Sequence, residues 1–572
     1  MEHILGKTRL AGYTIALLAL LGTLAMNGFT LAQVARARTN VPWWDQWAMV
    51  NELAQHQRGA PLWPVLWAPY WGHRLVIPRL LFLADARWLS FTSLTWLTMA
   101  VQFLHIALLI ALAWRLLGRK PPALLLAGVA LILNLLLSPL QIQNFIWGMQ
   151  TMFPLVFLSA TAACLSLAWR SRWSAPVAIA CAVVSSLTMP NGILLWPVLV
   201  AQSIYLKRGR KVAIALSAVG AVVIAAYLWR YVRPAELGMG IGGMLRHPLD
   251  SVLLTGLILG GPFRFIIPVD VALGLLALAV TAHLAIRVSR LPAPQPSWPS
   301  ALLAILVFLV LSSLSLIAGR LTPAFLRAGA KDLLGVQYFT MICLFWTCVG
   351  LLALYSYRVR QLPTPALCFY AMLFACLLLT GIRRQLIEAE DWADFFLGVD
   401  AAGAAIVMDV PDEVLLSHLW PVKTERDQRT DYLRQHHLAL FHDPRAAWPG
   451  GAIADLFSAP SATCSGAIEE TTRVDPSSWR IQGWAWDPRT AATPDDILFT
   501  DSTGHVIGLA RGGLRHGYIP ALLVAPNPVP PSHARIRHSD WLGYIRQPDD
   551  PQSPPLRLYG VFRSSGAICA IR

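Results

Sequence analysis

Residues 363–394 read PTPALCFYAMLFACLLLTGIRRQLIEAEDWAD, and the two halves of this stretch suit different solvents. Residues 363–382 carry no charge over about 20 residues, the length a helix needs to cross a hydrocarbon core. After Arg383 and Arg384 the acids Glu388, Glu390, Asp391 and Asp394 follow in quick succession. The change is chain-wide: Glu2, Asp45, Glu52, Asp85, Glu236, Asp250, Asp270 and Asp332 precede it, and 23 of the 31 acids follow residue 385. The pattern predicts a membrane domain over 1–385, a helical connector over 386–460 and a small β domain over 461–572.

Composition agrees across all 572 residues, with 56% apolar, 13% charged and a mean hydropathy of +0.53. A soluble domain carries about 25% charged residues, and the roughly 10-residue alternating segments of an outer-membrane barrel are absent. Soluble enzymes and membrane β-barrels are thereby excluded, leaving an α-helical polytopic protein. Apolar runs mark eleven spans, near 11–33, 95–117, 122–138, 145–169, 176–190, 192–206, 211–231, 267–287, 300–319, 336–357 and 363–382. Short basic connections at Lys7/Arg9, Arg119/Lys120, Arg170/Arg172, Lys207 to Lys211, Arg287/Arg290 and Arg358/Arg360 alternate along the chain. The positive-inside rule puts each in the cytoplasm and exports the tail to the periplasm, provided that 251–265 stays in the outer interface or re-enters. The first span is long for a signal peptide and reads as a retained helix, although Ala35-Arg36-Ala37 resembles a cleavage site.

The tail changes character beyond Cys464. Short runs around Trp479–Trp486, Ile497–Thr500, His505–Ala510 and Leu556–Phe562 alternate with Asp, Gly and Pro turns, which predicts an antiparallel β-sandwich. Cys464 and Cys569 bracket this domain and are expected to pair in an oxidising compartment, whereas the other six cysteines sit in apolar runs. Trp484, Trp486, Trp541 and Tyr544 are candidates for stacking on glycan rings, with core packing as the alternative.

On the predicted outer face one long loop, 34–94, holds most of the reactive groups. If the chain after Pro42 is helical, Asp45, Glu52 and His56 share a face. A carboxylate beside Trp43, Trp44 and Trp47 is partly desolvated, which suits it to taking a proton from a hydroxyl. The alternative is an interfacial helix with an aromatic belt. The same loop holds Arg58, His73, Arg74, Arg79 and Arg87, an excess of cations on the side that the bias leaves poor in them. Guanidinium forks fit a lipid-linked phosphate, and anionic headgroups compete as the explanation. Polar islands at residues 141–150 and 188–192 supply Gln143, Asn144, Trp147, Gln150 and Asn191 at outer helix ends. Amides there can bind sugar hydroxyls or simply cap helices.

Taken in order, Trp44-Asp45, Gly72-His73-Arg74 with Ile77-Pro78-Arg79, Gln143-Asn144-Phe145-x-Trp147-Gly148-x-Gln150, Asn191-Gly192 before Leu194-Leu195-Trp196-Pro197, and Gly319-Arg320 resemble bacterial membrane glycosyltransferases of the GT-C class. The resemblance covers most of residues 40–340 and implies a polyprenyl-phosphate-linked sugar donor and a glycan acceptor. It implies Asp45 as the catalytic carboxylate, with Glu52 beside it on the helix. His73, Arg74, Arg79, Arg320 and Tyr338 would face the donor phosphate. Trp44, Gln143, Asn144, Trp147, Gln150 and Asn191 would line the sugar. Where many members carry a second acid this chain has Gln46, which weakens the case for a divalent metal, and no other cofactor is implied. Members often have Arg-Tyr where this chain has Gln337-Tyr338. Transfer develops positive charge at the anomeric carbon and negative charge on phosphate, so a carboxylate opposed by arginines answers both. Two other functions fit a polytopic protein with an exported domain: a flippase for a lipid-linked glycan, and a non-catalytic glycan-binding scaffold.

Overall fold

The computed structural model describes residues 2–118, 121–232, 238–261, 267–290, 297–322, 335–460, 462–516, 537–547 and 556–572. Arg119/Lys120 and the end of the expected interfacial segment, from Pro262 on, lie outside the described residues. The chain forms two compact units: Met1–Gln33 with Leu66–Leu80 and Trp96–Ala389, and Val34–Val65 with Leu81–Thr95 and Glu390–Arg572.

The first unit is helical. Among the described residues nine helices have the length and hydropathy to cross a membrane: Leu10–Ala37, Leu94–Leu117, Pro122–Ile146, Gly148–Ala168, Arg210–Leu228, Ile267–Ser289, Trp298–Arg320, Phe339–Arg358 and Thr364–Val407. The protein is therefore compatible with a multi-pass membrane protein. The expected spans at 176–190 and 192–206 fall short: they form helices Ser174–Thr188 and Leu195–Tyr205, about 22 and 16 Å long at 1.5 Å per residue. Pro190 cannot donate to the preceding turn, and a Cβ on Gly192 would strike the Ser185 carbonyl, so a 3-10 turn, Pro190–Leu194, separates them. Nine helices rather than eleven thus meet the spanning length among the described residues.

Most of the segment expected at the outer interface is helical, Pro248–Gly260, and packs on Ile267–Ser289. A Cβ on Gly260 would run into the Asp270 carbonyl oxygen, and one on Gly274 into that of Gly256. Small residues let membrane helix backbones approach this closely. Inside Leu94–Leu117, Gln102 donates to the Leu136 carbonyl at 2.5 Å and the His105 ring lies 3.0 Å from Thr161 Oγ1, tying buried polar groups to neighbouring helices. A two-residue ribbon pairs β1 (Pro69–Tyr70) with β2 (His73–Arg74). Its turn needs positive φ at Trp71 (46°) and Gly72 (75°), the combination that matches the twist of a tight hairpin.

Thr364–Val407 is one 44-residue helix. At about 66 Å it is twice the thickness of a hydrocarbon core. The boundary read after Arg384 therefore lies within a helix rather than at the start of a connector, because residues 385–407 contain no proline to stop it.

In the second unit the C-terminal strands form a closed barrel, not the expected sandwich: β3 (Ala462–Asp475), β4 (Ser478–Trp486), β7 (Asp540–Arg546), β6 (Val506–Leu514), β5 (Asp496–Thr500), β8 (Arg557–Phe562) and β9 (Ala567–Ile571), in that spatial order. All neighbours are antiparallel except at the seam, where Ala462, Thr463 and Cys464 pair in parallel with Cys569, Ala570 and Ile571. In-and-out alternation is the same in a sandwich and a barrel, so the sequence pattern does not separate them. Closure removes both free edges. The core gathers Ile481, Ala485, Ile497, Phe499, Ala510, Trp541 and Ile545. Trp541 and Tyr544 are wholly buried and so are not the exposed stacking platforms expected of them, whereas Trp484 and Trp486 are half-buried. Gly483 makes room for Trp541, since a Cβ there would strike the indole.

Cys464 and Cys569 form a disulfide with a Cα–Cα distance of 5.6 Å, beside the parallel seam that closes the barrel. Outside the wall, Asp400 and Asp496 are buried with Arg445, Arg511 and Arg563: Arg445 Nη1 donates to Asp400 at 2.9 Å, and Arg563 grips Asp496 with two bonds of 2.6 Å. Burial favours the neutral acid at Asp496, but Arg563, Arg445 and Arg511 outweigh it and hold the pKa below its ordinary value. Replacing both seam cysteines by serine should lower the stability of this unit by about 2–4 kcal/mol, because the crosslink no longer restricts the unfolded chain. Scanning calorimetry of the detergent-solubilised protein checks this, and an unchanged barrel transition would contradict it.

Candidate functional site

The residues singled out from sequence fall in both units. In the second, Asp45–Gln57 is helical as the spacing required, and Asp45, Glu52 and His56 are all half-buried. Asp45 is the first residue of this helix, where the exposed amide ends of the backbone favour a negative charge. The turn before it is held on both sides. Trp43 is buried, donates its indole N–H to the His418 carbonyl at 3.0 Å and meets Phe395 and Phe396 edge-on at 5.1 and 5.3 Å. Trp44 is 44% exposed, takes a positive φ of 46° and donates its backbone N–H to Leu419 O at 2.9 Å.

The first unit holds the others. The ribbon places His73 beside Arg320, the last residue of Trp298–Arg320. That helix end is fixed by the main chain, with Gly238 N donating to Gly319 O at 2.7 Å and Met239 N to Leu321 O at 2.6 Å. Arg320 is exposed and donates through Nη2 to the Tyr338 hydroxyl at 3.0 Å. Tyr338 in turn directly precedes Phe339–Arg358 and lies edge-on to Phe153. Burial, and then the Arg320 charge, pull the His73 pKa down to about 4, so its imidazole is neutral at neutral pH. A guanidinium, a phenolic hydroxyl and a neutral imidazole come together here, a combination that suits an oxyanion.

Arg74 and Arg79 are placed differently. Arg74 is buried, and all three of its guanidinium nitrogens donate to main-chain carbonyls: Nε to Tyr227 at 2.8 Å, Nη1 to Trp67 at 2.6 Å and Nη2 to Trp229 at 2.5 Å. The Tyr227 hydroxyl meets the Arg74 amide at 3.2 Å. Arg79 donates to the carbonyls of Leu66 and Ala68. Both arginines therefore brace the ribbon that carries His73.

The polar islands sit against the two helices that carry Arg320 and follow Tyr338. Asn144 donates to Gln337 O at 3.3 Å and to Thr340 Oγ1 at 3.1 Å, next to Tyr338. Gln143 and Gln150 are buried close by in sequence, and Trp147 is half-buried between them. Asn191 donates to Ser312 Oγ at 3.1 Å, two turns before Arg320 on the same helix. Sequence reasoning passed over Gln141 and Thr340, which hydrogen-bond at 2.9 Å and join the island to Phe339–Arg358. Gln141 lies two residues from Gln143 in the island, but no pattern marks which amide joins helices and which faces a cavity. Among the described residues no three His, Cys, Asp or Glu side chains gather as metal ligands. Comparison of the chain with protein-family models, curated proteins and solved structures returns no match.

Because the native His73 pKa lies below the ordinary 6.5, the unfolded chain binds a proton that the native state refuses between about pH 4 and 6.5. The stability contributed by neutral His73 is complete above that window and is lost as pH falls through it. His73→Gln should flatten the pH dependence of thermal unfolding relative to wild type, and Arg320→Ala should narrow it by removing the second cause of the shift. Midpoints recorded at about pH 7 and about pH 4.5 test both, and parallel curves for all three proteins would contradict the assignment.

Proposed function

We propose that this protein is a glycosyltransferase of the GT-C class in a bacterial inner membrane, moving a sugar from a polyprenyl-phosphate carrier to a cell-surface glycan on the periplasmic face. The observation that carries the reading is the grouping of exposed Arg320 with Tyr338 and neutral His73, in a chain rich in helices of spanning length. An acceptor hydroxyl attacks the anomeric carbon, the bond from that carbon to the phosphate oxygen breaks, and the phosphate keeps the electron pair. Arg320 and Tyr338 stabilise the charge that gathers on the leaving phosphate. The resemblance assigns the hydroxyl proton to Asp45, which shares its helix with Glu52. The amides Gln143, Asn144, Gln150 and Asn191, with Trp147, orient the sugar. Arg74 and Arg79 serve this site by positioning His73.

The test is mass analysis of surface glycans from cells carrying single variants at wild-type protein level. Asp45→Asn should abolish addition of the sugar, and Arg320→Ala should lower it by about 10²-fold, the usual cost of removing one donor to a developing oxyanion. Unchanged glycans in both strains would reject the reading. Accumulation of a complete but untransported lipid-linked glycan would instead favour a flippase.

A further inference from the structure

Asp412 is 3% exposed and uses both carboxylate oxygens. Oδ1 accepts from Val414 N at 3.2 Å and caps the short helix Glu413–Leu419. Oδ2 accepts from Arg480 Nη1 on β4 at 2.9 Å and from the wholly buried Tyr544 hydroxyl on β7 at 3.0 Å. One end of the helix is thus fastened to two adjacent barrel strands. At its other end the carbonyls of His418 and Leu419 take the Trp43 indole N–H and the Trp44 amide, the two residues before Asp45. Arg426, 1% exposed, holds the helix from the side through Glu413 at 2.7 Å and the Trp420 carbonyl at 3.2 Å. Trp44 takes a positive φ that a bulky residue adopts only when its surroundings impose it. The loop's other anchors include Arg36 on Asp394 and Thr39 on Asp400 further upstream, and Trp43 against Phe395 and Phe396 at the turn itself; the hydrogen bonds to His418 and Leu419 are the ones that run to the helix Glu413–Leu419.

We propose that the barrel sets the position of the Asp45 carboxylate, with Asp412 as the positioning residue that transmits it through the helix Glu413–Leu419. The functional half of this inference rests on the reading of Asp45 as the reacting carboxylate. The mechanical half does not. The path is a chain of hydrogen bonds and a short helix of about two turns, so a ligand or a strain that shifts β4 against β7 is felt at Trp44 and Asp45.

Hydrogen exchange followed by mass spectrometry on the full-length protein tests the path, with peptides covering 41–57 and the strands β4 and β7. Asp412→Ala should speed exchange at Trp44 and the first turn of Asp45–Gln57 by about tenfold and lower glycan modification in cells by about tenfold or more, since small displacements of a reacting group cost rate steeply. Asp412→Asn, which keeps one acceptor oxygen, should give intermediate values for both. Tyr544→Phe removes only one hydroxyl and keeps the ring buried where it is, so it decides the matter if Asp412→Ala does not fold. It should raise exchange at the same amides while β4 and β7 stay protected. Wild-type exchange over 43–50 in the folded variants overturns the proposal. Retained glycan modification in Asp45→Asn removes the catalytic reading, and the exchange result still decides the coupling.

Discussion

Wherever a helix ends, carbonyls are left without intrahelical partners, and in buried surroundings each must find a donor. Much of this protein's polar chemistry answers that need. Arg74 serves the carbonyls of Trp67, Tyr227 and Trp229, and Arg79 serves those of Leu66 and Ala68. Gln141 serves Leu135 and Leu136, Arg208 serves Leu167, Arg358 serves Leu116, and Gly238 serves Gly319. In the second unit Trp43 and Trp44 do the same for His418 and Leu419. Helix ends are thereby located by side chains drawn from elsewhere in the sequence.

The same constraint sorts the cations of the first loop. Arg74 gives three of its five N–H groups to main-chain carbonyls, so turning its guanidinium away from them costs several kcal/mol when all three bonds are broken. Arg320 differs because its helix end is already capped by Gly238 and Met239, which leaves its guanidinium at the surface beside Tyr338.

Charge is handled another way in the second unit. Asp400, Asp496 and Asp412 are buried, each against at least one arginine. Pairs of this kind add little net stability over apolar packing, but breaking one costs about 3–5 kcal/mol, so they demand a single arrangement. They join Thr364–Val407 and the segment after it to one side of the barrel, and they hold the Asp45 loop in the same compact unit.

The sequence alone determined the apolar, spanning-length character of the first 385 residues and the presence of a small β domain, and it pointed to the pairing of Cys464 with Cys569 and to a helix after Pro42, because each depends on local composition, periodicity or a short list of possible partners. Only the tertiary structure decided that the β domain closes into a barrel, that Trp541 lies in its core while Tyr544 is buried on the opposite face of β7 against Asp412, that a 3-10 turn parts Ser174–Thr188 from Leu195–Tyr205, and that the helix after Arg384 runs on to Val407. It also separated Arg74 and Arg79, which brace main chain, from exposed Arg320. An arginine reads the same in sequence whether it faces a carbonyl or solvent; its partner is supplied by a distant chain segment, 153 residues away for Arg74 and Tyr227 and 242 for Arg358 and Leu116, and only folding brings the two together.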